Sequence, residues 1–143
     1  MIKIYTGGSF SAPHIGHAIF FEQIKRFWPE SFLTVSLNID EFICRFKNKL
    51  PIFSYSERIN YLIQLKSIDK IIPNIGNEDS KISILQEKPD IIAIGNDWLE
   101  KDYCKQMSFN ADWLSEQKIG LIYVPRIGGL SVTLIEERIR NDK

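Results

Sequence analysis

Five short apolar runs, rich in β-branched and aromatic residues, recur along the chain, and the stretches between them carry helical spacing. That alternation leaves few folds open. The runs lie at 2–6, 32–37, 70–73, 91–94 and 121–124. Between the first two, residues 14–28 place Ile15, Ile19, Phe20 and Ile24 at helical spacing and stop before Pro29. Ser54-Tyr55-Ser56-Glu57 is a capping box opening a helix through Ile59, Leu62 and Ile63. Ser80 caps a short helix ending before Pro89, and Thr133-Leu134-Ile135-Glu136 is a second capping box, opening a last helix to about Arg140. Strands alternating with helices require crossovers, hence a parallel sheet covered on both faces. A chain of 143 residues fits one domain, 1–143, with room for a real core. The expected fold class is α/β: a doubly wound, parallel, five-stranded sheet.

Composition narrows the partners. Lys plus Arg number 18 against 18 Asp plus Glu, so neither a general nucleic-acid surface nor an anionic-membrane surface is expected. No apolar run is long enough to span a bilayer, and the N-terminus lacks the apolar core of a secretion signal. Cys44 and Cys104 form neither a CxxC pair nor a disulfide framework. They read as reduced thiols of a cytoplasmic protein.

In open parallel sheets ligands bind beyond the carboxyl ends of the strands, and the distinctive residues gather there. Gly7-Gly8-Ser9-Phe10-Ser11-Ala12-Pro13-His14-Ile15-Gly16-His17 follows the first run, with the chain's two histidines at the start of a helix. Free N–H groups and the positive helix end suit a phosphate, Gly8 and Gly16 allow its close approach, and His14 and His17 add donors. A zinc site needs further ligands, and no other histidine exists to supply them. The dinucleotide GxGxxG and the P-loop lysine motif are both absent. Alone, the pair also reads as two structural histidines.

A second element, Arg126 to Thr133, places Gly129, Ser131 and Thr133 before a helix N-terminus, a cradle for triphosphate oxygens with Arg126 as a forked cation. Its plain alternative is a capped surface helix after a glycine turn. The run Arg45-Phe46-Lys47-Asn48-Lys49 reads by itself as a solvated loop, and Trp98 in Gly95-Asn96-Asp97-Trp98 as core.

His14-Ile15-Gly16-His17 resembles the HxGH signature of the nucleotidyltransferase superfamily, whose fold is Rossmann-like. Four further segments, in order, are similar to the bacterial glycerol-3-phosphate cytidylyltransferases. They are Phe53-Ser54-Tyr55-Ser56-Glu57-Arg58, Ser67-Ile68-Asp69-Lys70-Ile71-Ile72-Pro73, Ile94-Gly95-Asn96-Asp97-Trp98, and Tyr123 through Thr133. The resemblance implies transfer of CMP from CTP to a small phosphorylated acceptor, releasing pyrophosphate. The acceptor would be like glycerol 3-phosphate, or a phosphorylated amino acid or polyol destined for capsule or cell-envelope synthesis. It implies catalytic roles for His14, His17 and Arg126. Nucleotide contacts would come from Gly8, Ser9, Phe10, Gly16, Lys47, Lys66, Asp97, Trp98, Gly129, Ser131 and Thr133, and acceptor contacts from Lys49, Arg58 and Lys81. It also implies a homodimer and Mg²⁺ or another divalent cation. Ser11 stands where the family usually has aspartate, so the cation is expected to ride on the triphosphate rather than on protein ligands. Residues 99–119 are longer than usual in the family and contain a helix-like segment at 111–114. The HxGH signature equally fits an adenylyltransferase of pyridine-nucleotide synthesis. A nucleotide-binding protein without catalysis is the reading from outside the enzyme classes.

Overall fold

The computed structural model describes residues 1–95, 107–125 and 132–141. Five strands, β1 (Lys3–Gly8), β2 (Phe32–Leu37), β3 (Lys70–Pro73), β4 (Ile91–Gly95) and β5 (Gly120–Val124), form one sheet in which all pairs are parallel. The order is β3-β2-β1-β4-β5. Winding therefore goes outward one way through β2 and β3, then returns to the other side of β1 for β4 and β5. The direction reverses between β1 and β4, which is where such sheets open a crevice at their carboxyl edge. Register aligns that edge: Gly8 pairs with Leu37, Leu37 with Pro73, and Gly95 with Val124. The expected Rossmann-like sheet is the one observed.

The helices are α1 (Ile15–Phe27), α2 (Asp40–Lys47), α3 (Tyr55–Leu62), α4 (Lys81–Glu87), α5 (Ala111–Glu116) and α6 (Val132–Asn141). Side-chain alternation along the strands builds a core on each face of the sheet. On one face Ile4, Leu33, Val35, Leu37 and Ala93 meet Phe21 and Ile24 of α1 and Leu62 of α3. On the other Tyr5, Ile92 and Ile94 meet Ile84 of α4 and Leu114 of α5. β2 turns Thr34 and Ser36, both buried, away from the first core.

Three local differences from the sequence reading have physical causes. β1 runs on through Gly7 and Gly8, because the ladder to Ser36 and Leu37 continues there despite the glycines. α2 occupies a stretch read as loop. Asp40 and Glu41 lie in its first turn, Arg45 and Lys47 in its last, each sign opposing the helix dipole, and Phe42 and Ile43 are buried. Asn48 then ends it in the left-handed region at φ 55°. α6 begins at Val132, so Thr133 lies within its first turn and is not the cap.

Candidate active site

The loop from β1 to α1 is the centre of the site. His14, only 8% exposed, is the N-cap of α1: its Nδ1 accepts from the Gly16 N–H at 3.0 Å. His17 closes the reciprocal bond, its Nδ1 accepting from the His14 N–H at 3.2 Å. The pair is thus a capping box built from imidazoles instead of the usual hydroxyl and carboxylate. The rings stack with centroids 3.8 Å apart and 28° between planes. A nitrogen that accepts carries no proton, so a neutral ring in either position holds its proton on Nε2. The first turn of α1 holds no acidic side chain, which leaves the positive helix end for an anion.

Phe10 shapes the same loop. Its backbone is left-handed at φ 45°, a conformation uncommon for a bulky residue. The ring packs 5.5 Å from Phe21 and edge-on to His17 at 4.9 Å. A Cβ on Gly8 would sit 3.0 Å from that ring, which would have to give by a few tenths of an ångström to admit it. Gly7 lies beside the methyl of Met107, which brings the segment after residue 106 to the end of β1.

Arg58 holds the loops from below. It is 0% exposed. Nη1 donates to the carbonyls of Ser9 at 2.6 Å and Asn38 at 2.8 Å, Nε to that of Phe53 at 3.1 Å, and Nη2 to Asp40 Oδ1 at 2.7 Å. Expected to meet the acceptor, Arg58 instead has its guanidinium turned to these internal partners. A guanidinium with every nitrogen engaged inside the protein is a fastener for three loops. Asp40 also accepts from the Tyr55 N–H.

The basic loop after α2 is tied to this centre through Ser11. Its Oγ accepts from the Ile52 N–H at 3.0 Å and its carbonyl from the Phe53 N–H at 3.1 Å. The oxygen standing in the place of the family's aspartate is therefore spent on the backbone. Lys47 ends α2 and Lys49 follows; Lys49 Nζ lies 3.2 Å from Glu136 of α6. Desolvation holds the Lys47 amine below its ordinary value, aided by the Lys49 charge and opposed by Glu136. Lys81 opens α4 on the carboxyl side of β3 and is engaged by Asp79 at 3.1 Å and by the Ser108 carbonyl.

Lys66 is not brought in. It lies in the turn between α3 and the start of β3, three residues before Asp69, whose carboxylate accepts from the Leu33 N–H near the start of β2. That is the opposite edge of the sheet within this chain. Asp97, Trp98, Arg126, Gly129 and Ser131 lie outside the described residues, and of Thr133 only the backbone is described. Sequence reasoning missed Asn38, Asp40, Asn74 and Ser83, four polar groups around the ends of β2 and β3. The available signal was position: Asn38 and Asn74 each follow a strand directly, at the edge where ligands bind.

The family model described as cytidylyltransferase-like matches residues 5–138. This chain belongs to the cytidylyltransferase-like family. It is 32% identical over 139 residues to a glycerol-3-phosphate cytidylyltransferase of Bacillus subtilis, covering 97% of this chain and 98% of that protein. An FAD synthase of Thermococcus sibiricus is 36% identical over 96 residues, covering 67% of this chain and 64% of that protein. Among solved structures, a lipopolysaccharide core biosynthesis protein from Thermoplasma volcanium superposes with a TM-score of 0.66 at 26% identity, covering 88% of this chain and 96% of that one. Among the described residues no helix is long and apolar enough to cross a membrane.

Proposed function

We propose that this family member transfers CMP from CTP to a small phosphorylated acceptor. The observation that carries the reading is the imidazole capping box. Two stacked imidazoles and the positive end of α1 lie together after β1, beside the switch point of the sheet, an arrangement suited to charge growing on phosphate oxygens. Cytidine as the base is supported by similarity to the Bacillus subtilis enzyme along nearly the whole chain.

An oxygen of the acceptor phosphate attacks the α-phosphorus in line, forming the new P–O bond as the bond to the β-phosphate breaks and pyrophosphate departs. A phosphate monoester has a second pKa of about 6, so it enters as a dianion and needs no general base. Catalysis is positioning and charge stabilisation. His14 and His17 donate around the α/β bridge, Lys47 offsets triphosphate charge, and Lys49 receives the acceptor phosphate once released from Glu136. A divalent cation, when bound, supplies further charge neutralisation on the triphosphate. The triphosphate itself would hold it, since Ser11 Oγ, in the place of the family's aspartate, accepts from the Ile52 N–H.

Pyrophosphate release measured with each of the four nucleoside triphosphates against a panel of phosphate monoesters tests the reading. CTP should show the highest kcat/KM with the best acceptor. The FAD synthase likeness favours one second reading, adenylyl transfer, which ATP as the preferred nucleotide would establish. Shortening the segment 99–119, longer than is usual in the family, should reorder the acceptor panel and leave CTP affinity nearly unchanged. The assembly is proposed to be a homodimer, to be checked by sedimentation.

A further inference from the structure

A directional chain of side-chain hydrogen bonds runs beneath the phosphate loop, and its sense is set by backbone groups. The Ile75 N–H donates to Ser83 Oγ at 3.2 Å, so that hydroxyl turns its own proton to Asn74 Oδ1 at 3.3 Å. Asn74 is oriented a second time by its Nδ2, which donates to the Asn77 carbonyl at 2.9 Å. A carbonyl only accepts, so the amide of Asn74 has one possible orientation. Its Nδ2 also donates to Asn38 Oδ1 at 2.9 Å, which fixes the Asn38 amide in turn. Asn38 is left with Nδ2 facing Ser9 Oγ at 3.0 Å. The Ser9 oxygen therefore accepts from Asn38, and its own proton is free of that contact.

We propose that Asn38 is a positioning residue that holds the Ser9 hydroxyl as a donor toward a phosphate oxygen of the bound nucleotide. Its orientation is inherited through Asn74 and Ser83 from the backbone at the end of β3. The inference rests on the nucleotide reading above and extends it to residues with no expected contact with substrate. The geometry suits the role. Asn74 is buried and Ser83 is 0% exposed, so the upstream members are shielded from competing water. Ser9 is also fixed at its carbonyl by Arg58, which holds the backbone that carries the hydroxyl. A serine aimed in advance gives up less freedom when it meets phosphate than one that must first choose a rotamer.

The test is a double-mutant cycle of Asn38→Ala and Ser9→Ala, read by calorimetric binding of inorganic tripolyphosphate and by KM and kcat with the best nucleotide. Ser9→Ala should weaken tripolyphosphate and raise nucleotide KM by about 10- to 150-fold, the scale of one hydrogen bond to a charged group, and Asn38→Ala should shift both in the same direction by no more than that. kcat should change little by comparison. The double variant should be no worse than Ser9→Ala alone, and Ser9→Thr, which keeps a hydroxyl, should restore the response to Asn38→Ala. Penalties that multiply, or an Asn38→Ala protein with parental binding, overturn the proposal. If Asn38→Ala does not fold, Asn38→Asp replaces it with nearly the same shape. Its carboxylate accepts from the Ser9 hydroxyl, so it should cost more with Ser9 present than in Ser9→Ala; equal losses in the two backgrounds overturn the proposal. Tripolyphosphate carries neither base nor acceptor. A parent that prefers ATP would therefore overturn the cytidylyl reading and leave the cycle intact, whereas a parent that does not bind tripolyphosphate overturns the relay.

Discussion

Replacing Arg58 by alanine should unfasten the site before it changes any chemistry. The guanidinium makes four hydrogen bonds, three to backbone carbonyls of Ser9, Asn38 and Phe53 and one to the Asp40 carboxylate. Its removal strands all four acceptors and opens a void the size of a large side chain. Breaking a buried ion pair from one side costs about 3–5 kcal/mol. Asp40 is 37% exposed and regains some water, which places the loss toward the lower end, about 3 kcal/mol. In a domain of this size each kcal/mol moves the melting temperature by about 2–4 °C, so the variant should melt about 6–12 °C below the parent. Arg58→Lys should recover only part of that, since one ammonium cannot span carbonyls from three loops. Thermal unfolding followed by far-ultraviolet circular dichroism measures it. A variant that melts within about 2 °C of the parent and shows a raised acceptor KM would refute the fastening role and restore Arg58 to the acceptor site.

Other outcomes follow from the same geometry. His14→Ala and His17→Ala should each lower kcat by about 10²–10³-fold, the usual cost of one donor to developing charge, in single-turnover assays on protein whose circular dichroism is parental. Glu136→Gln should release Lys49 and lower the acceptor KM by up to about fivefold, because exposed pairs of this kind are worth about 0.2–1 kcal/mol; the gain should shrink in high salt. Burial pushes the Tyr5 phenol up to about 12. Below pH 10 the phenol is neutral in both folded and unfolded chains, but above it the unfolded chain ionises first, so this contribution to stability is lost as pH rises toward 12. Tyr5→Phe should remove about 2 kcal/mol of that fall, read as the difference between parent and variant in denaturant titrations at pH 9 and pH 11.5.

The sequence by itself determined the architecture, because hydrophobic period and strand length are local properties. The runs at 32–37 and 70–73 appear in the structure with those same bounds. Gly8, His14, Gly16 and His17 were legible as one candidate loop because they lie within a few residues of one another, and a strand followed by a helix places them without long-range information. α2 was missed because Ile39 gives it no side-chain cap and its charged ends read as a solvated run.

Tertiary structure alone decided what the isolated polar residues do. Arg58 looked like one more cation for an acceptor, yet Ser9, 49 positions away in sequence, and Asn38, 20 positions away, close over it. Lys66 shared a basic composition with Lys49 but emerged at the other edge of the sheet, because an eight-residue helix running back against the strands lies before it. Asn38 and Asn74, 36 positions apart, meet because parallel pairing sets the ends of β2 and β3 level. Helix and strand periods are written in neighbouring residues. Which carbonyl a buried guanidinium meets, and which way an amide must face, is fixed only when distant segments share one low-dielectric space that leaves no donor or acceptor to water.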